Sequence, residues 1–323
     1  MKAVKRLMRF LPLSASYQIN IAADPSSTIH VRSGAESCAG SRLFKNGRTS
    51  MNAKAKTAIL LACACCILPF CIYAQGPMAK VPADQPVPRT DQNSLTAHSQ
   101  LLEKAKKGVI DIYFEGDSIT RRWGATDYPE LLANWNKNFF GWNAADFGWG
   151  ADRVQNILWR LTDGELDGVS PKVIVLLAGT NDLGFRVPAG GDSSKVEQIT
   201  AGIRAVLKTM QEKAPEAIII LMGIFPRNDI PALLPTIRKI NQNLSNLADG
   251  KRIRYLNIND RLADPDGVLY DGMMDPDKLH PAIKGYQVWA DALKPIFQEL
   301  LGPPAKEDLA PPPTGNPAAQ KTN

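Results

Sequence analysis

The chain has 323 residues, 44% of them hydrophobic, with 38 Lys and Arg against 32 Asp and Glu. That is enough apolar material for a packed core, and the length allows one large domain or two small ones. The net charge of +6 is unevenly placed: residues 1–56 hold 10 basic and 2 acidic residues, so the remainder is nearly neutral at −2. A neutral body argues against a nucleic-acid partner. All five cysteines (Cys38, Cys63, Cys65, Cys66, Cys71) precede residue 72, which excludes a disulfide framework or a cysteine metal site beyond it.

Residues 1–50 show no sustained period. Met51, Lys54 and Lys56 then form a basic start, an apolar run covers 58–72, and Ile72, Tyr73 and Ala74 make a cleavage site before Gln75. This is the layout of a secretory signal peptide over 51–74. The expectation is that translation begins at Met51 and that residues 1–50 are an upstream extension foreign to the protein. Two other readings of the run are an uncleaved membrane anchor, for which it is short and interrupted by Pro69, and a lipoprotein leader ending at Cys63. Each puts the body outside the cytoplasm, periplasmic or secreted, with the membrane touched only through the leader.

Residues 75–93, with Pro77, Pro82, Pro86 and Pro88, read as a linker, and the body is expected over 94–302. An apolar run at 109–116 predicts a strand that ends in Gly116, Asp117 and Ser118. A helix follows over 128–137 with Pro129 in its first turn, then a short strand at 143–147 leading to Gly148, Trp149, Gly150, Ala151 and Asp152. Val154, Ile157, Leu158 and Leu161 share one helical face. The run 172–178 is continuously apolar, as a strand buried on both faces should be, and ends at Gly179, Thr180, Asn181 and Asp182. A helix over 196–210, a strand at 217–223, a helix over 233–247 and a strand at 253–258 complete the alternation. Asp264 to Gly267 reads as a turn without calcium-loop spacing. The last helix covers 282–301, where Pro295 predicts a kink. Residues 303–323 are proline-rich and are expected to be disordered. Strands alternating with helices imply one α/β domain, a three-layer α/β/α sandwich around a mainly parallel five-stranded sheet.

Ser118, at the carboxyl edge of a strand, is placed where ligands bind in open α/β sheets. A serine hydroxyl becomes a nucleophile only beside a base, and histidine suits that task near neutral pH. The chain has three histidines: His30 lies before the leader and His98 at the body's entrance, so only His280 lies within the body proper, just after the last strand. Asp277 precedes it by three residues, close enough in a tight turn to bond the far imidazole nitrogen. Ser118, His280 and Asp277 are therefore the candidate catalytic residues. Oxyanion donors are sought in the N–H of Ser118, a backbone N–H of the loop 148–152 and the side chain of Asn181. Trp123, Trp149 and Phe185 are weak candidates for lining a substrate groove, with core packing the alternative. Arg227 either touches substrate or pairs with a carboxylate. Asp117 is a weak substrate-contact candidate that can equally order its loop.

These blocks, Gly116-Asp117-Ser118-Ile119, Phe147 to Asp152, Gly179-Thr180-Asn181-Asp182 and Asp277-Lys278-Leu279-His280, resemble the GDSL/SGNH hydrolase family over about 109–301. Leu158-Trp159-Arg160-Leu161 with Gly164-Glu165-Leu166 is similar to its platelet-activating-factor acetylhydrolase catalytic-subunit branch. The resemblance implies a flavodoxin-like SGNH fold, Ser118 as nucleophile, His280 as base, Asp277 as its orienter and Asn181 as an oxyanion donor. The family's oxyanion glycine falls on Ala151, a departure that keeps the N–H and adds a methyl. The expected activity is an exported serine esterase acting on a small acyl ester, such as acetyl, of an O-acetylated glycan. It calls for no metal or organic cofactor. A lipid or phospholipid ester is the near alternative, and a non-catalytic glycan-binding module on the same scaffold is the alternative of a different class. A flavodoxin-like FMN binder is disfavoured because Glu115 and Asp117 stand where a phosphate loop would be.

Overall fold

The computed structural model describes residues 81–187 and 192–319. The expected leader and upstream extension lie outside the described residues. Five strands, β1 (Ile112–Gly116), β2 (Ala144–Asp146), β3 (Val173–Leu177), β4 (Ile218–Met222) and β5 (Ile253–Leu256), form one sheet. Their order is β2-β1-β3-β4-β5 and every pairing is parallel. The chain leaves β1 toward β2 and then returns to the other side for β3, so the order reverses at β1. Ligand sites of open sheets form at such a switch point.

The apolar strand runs follow from helices covering both faces. On one face Tyr113, Ile174, Leu176, Ile219 and Leu221 pack with α4 (Val154–Arg160), α6 (Ser193–Lys213) and α7 (Leu234–Ser245). On the other, Ile112, Phe114, Val175, Leu177, Ile220 and Met222 meet the aromatic side chains of α2 (Ser118–Gly124), α3 (Pro129–Phe139) and α9 (Ile283–Leu301). Residues i and i+1 of a strand point to opposite faces, so β3 and β4, covered on both, are apolar throughout, while β1 admits one buried charge, Glu115, paired with Arg160. Helix α9 runs as one element through Pro295. Two short helices, α5 (Thr180–Leu183) and α8 (Asn259–Leu262), follow β3 and β5 at the sheet's carboxyl edge.

The structure corrects the expected boundaries at both ends. A helix, α1 (Gln92–Ala105), precedes β1; Asp91 caps it by accepting the Ser94 N–H at 2.9 Å. Its inward positions include Ser94, His98 and Lys104, so the apolar period that announces a helix is missing. The segment before it is fixed rather than a free linker. The Val87 N–H donates to Gln155 at 3.0 Å, and Ala83 is buried. The proline-rich tail has a fixed path over 303–319; residues 320–323 of the expected disordered tail lie outside the described residues. It is held by bonds from Val109 N–H to the Leu309 carbonyl (2.8 Å), from Ala305 N–H to the Gly141 carbonyl (2.8 Å) and from Thr126 N–H to the Thr314 carbonyl (3.0 Å). Proline composition reads as disorder, yet a proline strap has little chain entropy to lose and no N–H to satisfy. Among the described residues, no helix is long and apolar enough to cross a membrane.

Candidate active site

Asp117 follows β1 and caps α2, its Oδ1 accepting the Ile119 N–H at 2.9 Å. Ser118 thus becomes the first residue of α2, where the N–H has no intrahelical acceptor. The loop after β2 lies directly against this turn. A Cβ on Gly148 would stand 2.6 Å from the Arg121 nitrogen and 2.9 Å from the Asp117 carbonyl, so the close approach requires glycine.

His280 arrives from a tight turn after β5. The Lys278 N–H donates to the Asp275 carbonyl at 2.8 Å, and Lys278 itself adopts φ +57°. Within the turn Asp277 Oδ1 accepts the N–H groups of Leu279 (3.0 Å) and His280 (2.9 Å). Its Oδ2 lies 2.7 Å from His280 Nδ1, and His280 Nε2 lies 2.8 Å from Ser118 Oγ. The three residues nominated from sequence therefore form one hydrogen-bonded chain. Burial pushes the Asp277 carboxyl up, but its two main-chain donors and the imidazole outweigh that and hold it below the ordinary carboxylate value. His280 is held below its ordinary value chiefly by burial, against the pull of Asp277. A neutral imidazole at neutral pH can accept a proton from Ser118.

In the loop after β2, Ala151 is exposed at φ +62°. Asn181, in α5, donates from Nδ2 to the Asp152 carbonyl at 2.8 Å, which ties the segment after β3 to the loop after β2 and leaves its second N–H uncommitted to that bond. Asp182 adds a second tie, accepting the Val154 N–H at 3.0 Å. Ser118, Ala151 and Asn181 thus follow the carboxyl ends of β1, β2 and β3, at one edge of the sheet.

The weaker substrate-contact candidates divide. Asp117 is fully buried, its Oδ2 has no hydrogen-bond partner among the described residues, and burial pushes its carboxyl up to about 7. It orders the turn and does not face a groove. Trp123 is enclosed among Phe114, Trp135 and Trp289. Trp149 is buried, with its indole N–H on Ser94 Oγ at 2.9 Å and Arg121 over its ring. Arg227 is buried too. It pairs with Asp229 and donates to the Thr180 carbonyl at 3.1 Å, bracing the Asn181 turn from below. Phe185 alone is open, at 83% exposure. Among the described residues no group of three or more His, Cys, Asp or Glu side chains is arranged to hold a metal ion.

Two features escaped the sequence reading. Arg122, one turn after Ser118, reaches Asp275 at 3.4 Å and Asp277 at 3.6 Å. Behind the loops lies a buried ionic cluster of Arg160 with Glu115, Asp152 and Glu165. Its sequence signals are the charged Arg160 between the apolar positions Ile157, Leu158 and Leu161, and the block holding Arg160 and Glu165 that carries part of the family resemblance.

With this geometry in hand, the comparisons with known proteins are consistent. Residues 114–288 match the model of the GDSL-like Lipase/Acylhydrolase family. The platelet-activating factor acetylhydrolase IB subunit alpha1 of Bos taurus is 28% identical over 246 residues, covering 73% of this chain and 97% of that one. The subunit of the same name from Homo sapiens is 29% identical over 230 residues, covering 68% and 91%. A solved Streptococcus pneumonia protein described as a platelet activating factor superposes with a TM-score of 0.52 at 24% identity, covering 64% of this chain and 92% of its own. A solved Bacteroides fragilis protein described as an acylhydrolase gives the same TM-score, 0.52, at 18% identity over 65% and 99%. The chain belongs to the GDSL-like lipase/acylhydrolase family and is a carboxylic ester hydrolase.

Proposed function

We propose that this enzyme is an exported serine esterase that removes a small acyl group, acetyl, from an O-acetylated carbohydrate through a Ser118-His280-Asp277 triad. The observation that carries the mechanism is the unbroken chain of 2.8 Å from Ser118 Oγ to His280 Nε2 and 2.7 Å from His280 Nδ1 to Asp277. Ser118 Oγ attacks the ester carbonyl as its proton passes to His280 Nε2. Asp277 steadies the imidazolium, and the N–H groups of Ser118, Ala151 and Asn181 receive the tetrahedral oxyanion. Collapse breaks the ester bond, and His280 gives its proton to the departing alcohol. Water, deprotonated by the same imidazole, then cleaves the acyl-enzyme and frees the acid and Ser118.

A short acyl group fits a donor loop in which Ala151 presents a methyl where glycine would leave space. A hydroxylated alcohol fits the polar neighbourhood of His280, where Arg122 stands against Asp275 and over the Tyr128 ring. Export rests on the leader pattern at 51–74. The names of the mammalian relatives favour a second reading, an acetylated phospholipid as substrate. The two separate in a panel of 4-nitrophenyl esters of rising acyl length, acetylated xylo-oligosaccharides and acetyl-glycerophospholipid. The carbohydrate reading expects acetate release from the sugars with kcat/KM above that for the phospholipid. The reverse order would transfer the assignment to lipid, and a preference for long acyl chains would sink both.

A further inference from the structure

Arg160 is 1% exposed, and its guanidinium spends all five of its N–H donors. Nε donates to Asp152 Oδ2 at 2.7 Å. Nη1 donates to the Phe147 carbonyl at 2.9 Å and to Glu165. Nη2 donates to Glu115 Oε1 at 2.5 Å and to the Gly116 carbonyl at 3.3 Å. Glu115 and Gly116 are the last residues before the Asp117-Ser118 turn. Phe147 and Asp152 are the two ends of the loop that carries Ala151. One rigid planar group thus grips the segment bearing the nucleophile and both ends of the segment bearing the facing donor.

The grip extends outward from there. Asp152 also accepts from Arg89 Nη1 at 3.1 Å, and its carbonyl accepts from Asn181 at 2.8 Å, so the third donor is registered on the same residue. The Glu115 carboxylate turns back to accept the Gly116 N–H at 2.9 Å. On the far side Glu165 is held by His98 Nδ1 at 2.7 Å, and His98 Nε2 meets Asp163 at 2.9 Å, which fixes the anchor to α1. Three fully buried carboxylates around one guanidinium is a costly arrangement unless geometry is being specified. A fork with fixed donor angles supplies that geometry where a point charge would not.

Building on the esterase reading above, we propose that Arg160 is the positioning residue of the oxyanion site, setting the separation between the Ser118 turn and the Ala151 loop. It touches no substrate. Its effect on the reaction runs through the places of the N–H donors, which must be right for the transition state and matter little for ground-state binding.

The test compares wild type with Arg160→Lys, which keeps the positive charge among the carboxylates, measuring thermal unfolding, kcat and KM for 4-nitrophenyl acetate, and the rate of Ser118 phosphonylation by a fluorophosphonate. If Arg160→Lys shows no cooperative unfolding, Asp152→Asn replaces it, since that change loosens the grip on the Ala151 loop while keeping the side chain's shape. The expected result is a fall in kcat of about 10²-fold, in the range of a lost oxyanion donor, with phosphonylation slowed in parallel and KM nearly unchanged. A folded variant with wild-type kcat and phosphonylation rate would overturn the proposal, as would a change confined to KM. A wild-type protein that neither hydrolyses the ester nor is phosphonylated would remove the esterase reading itself, and this proposal with it.

Discussion

Ala151→Gly tests the account at its most strained point. Ala151 sits at φ +62°, where a Cβ crowds the following carbonyl at a cost of roughly 1–2 kcal/mol. Its side chain is exposed, so deleting the methyl forfeits little burial. Glycine gives part of the gain back, about 0.4–1 kcal/mol, through the freedom it adds to the unfolded chain. The net is a stabilisation of about 0.5–1 kcal/mol, or a Tm rise of ~1–4 °C for a domain of this size. The backbone N–H is retained, so kcat for the acetate ester should stay within about threefold of wild type. If the methyl borders the acyl group, the butyrate-to-acetate ratio of kcat/KM rises. Thermal unfolding by circular dichroism and a two-ester kinetic comparison read all three. A Tm that falls, or a kcat loss of about tenfold or more, would refute the reasoning, because it would mean that the methyl packs against something the loop needs.

Asp277→Asn should lower kcat by about 10³–10⁴-fold with KM little changed, because the amide cannot hold the imidazole in the same tautomer or steady its cation; steady-state kinetics decide it, and a loss under about tenfold would contradict the assignment. The pH profile follows from His280. The base must be neutral to accept the Ser118 proton, and burial holds its pKa below the ordinary 6.5, so kcat/KM should rise with a midpoint below pH 6.5 and be flat above neutrality. A midpoint above 7 would count against it. For Asp117 the folded pKa is raised from 3.8 to about 7, so its ionisation costs stability progressively as pH rises from the unfolded value toward the folded one. Asp117→Asn keeps the cap on the Ile119 N–H and removes that buried charge. Its Tm should exceed wild type at pH 8, with the gap narrowing toward pH 5; equal Tm values at both would contradict the argument.

The central elements were readable because local pattern and tertiary role agree there. The runs 172–178 and 217–223 are apolar without alternation since helices cover both faces of β3 and β4, and the Ser118 and Asn181 turns punctuate the ends of β1 and β3. What stayed hidden was placed by polar contacts between segments distant in sequence. Helix α1 presents His98 and Lys104 inward, to Glu165 and to the Asp146 carbonyl at 2.7 Å. No apolar stripe marks such a helix. The tail 303–319 has the composition of a disordered segment, and what fixes it is its bonds to distant residues such as Val109, Gly141, Asn143 and Thr126. Trp149 and Arg227 lie beside site residues in the chain but turn inward, to Ser94 and Thr180. Proximity in sequence to a strand end does not say which way a side chain faces.

The most direct test of the central claim is mass spectrometry of the protein after brief exposure to a fluorophosphonate. A single adduct on Ser118, absent in Ser118→Ala and strongly slowed in a folded His280→Ala variant, is the predicted result. Ester hydrolysis that persists at the wild-type rate in Ser118→Ala, or an adduct carried by another residue, would contradict it.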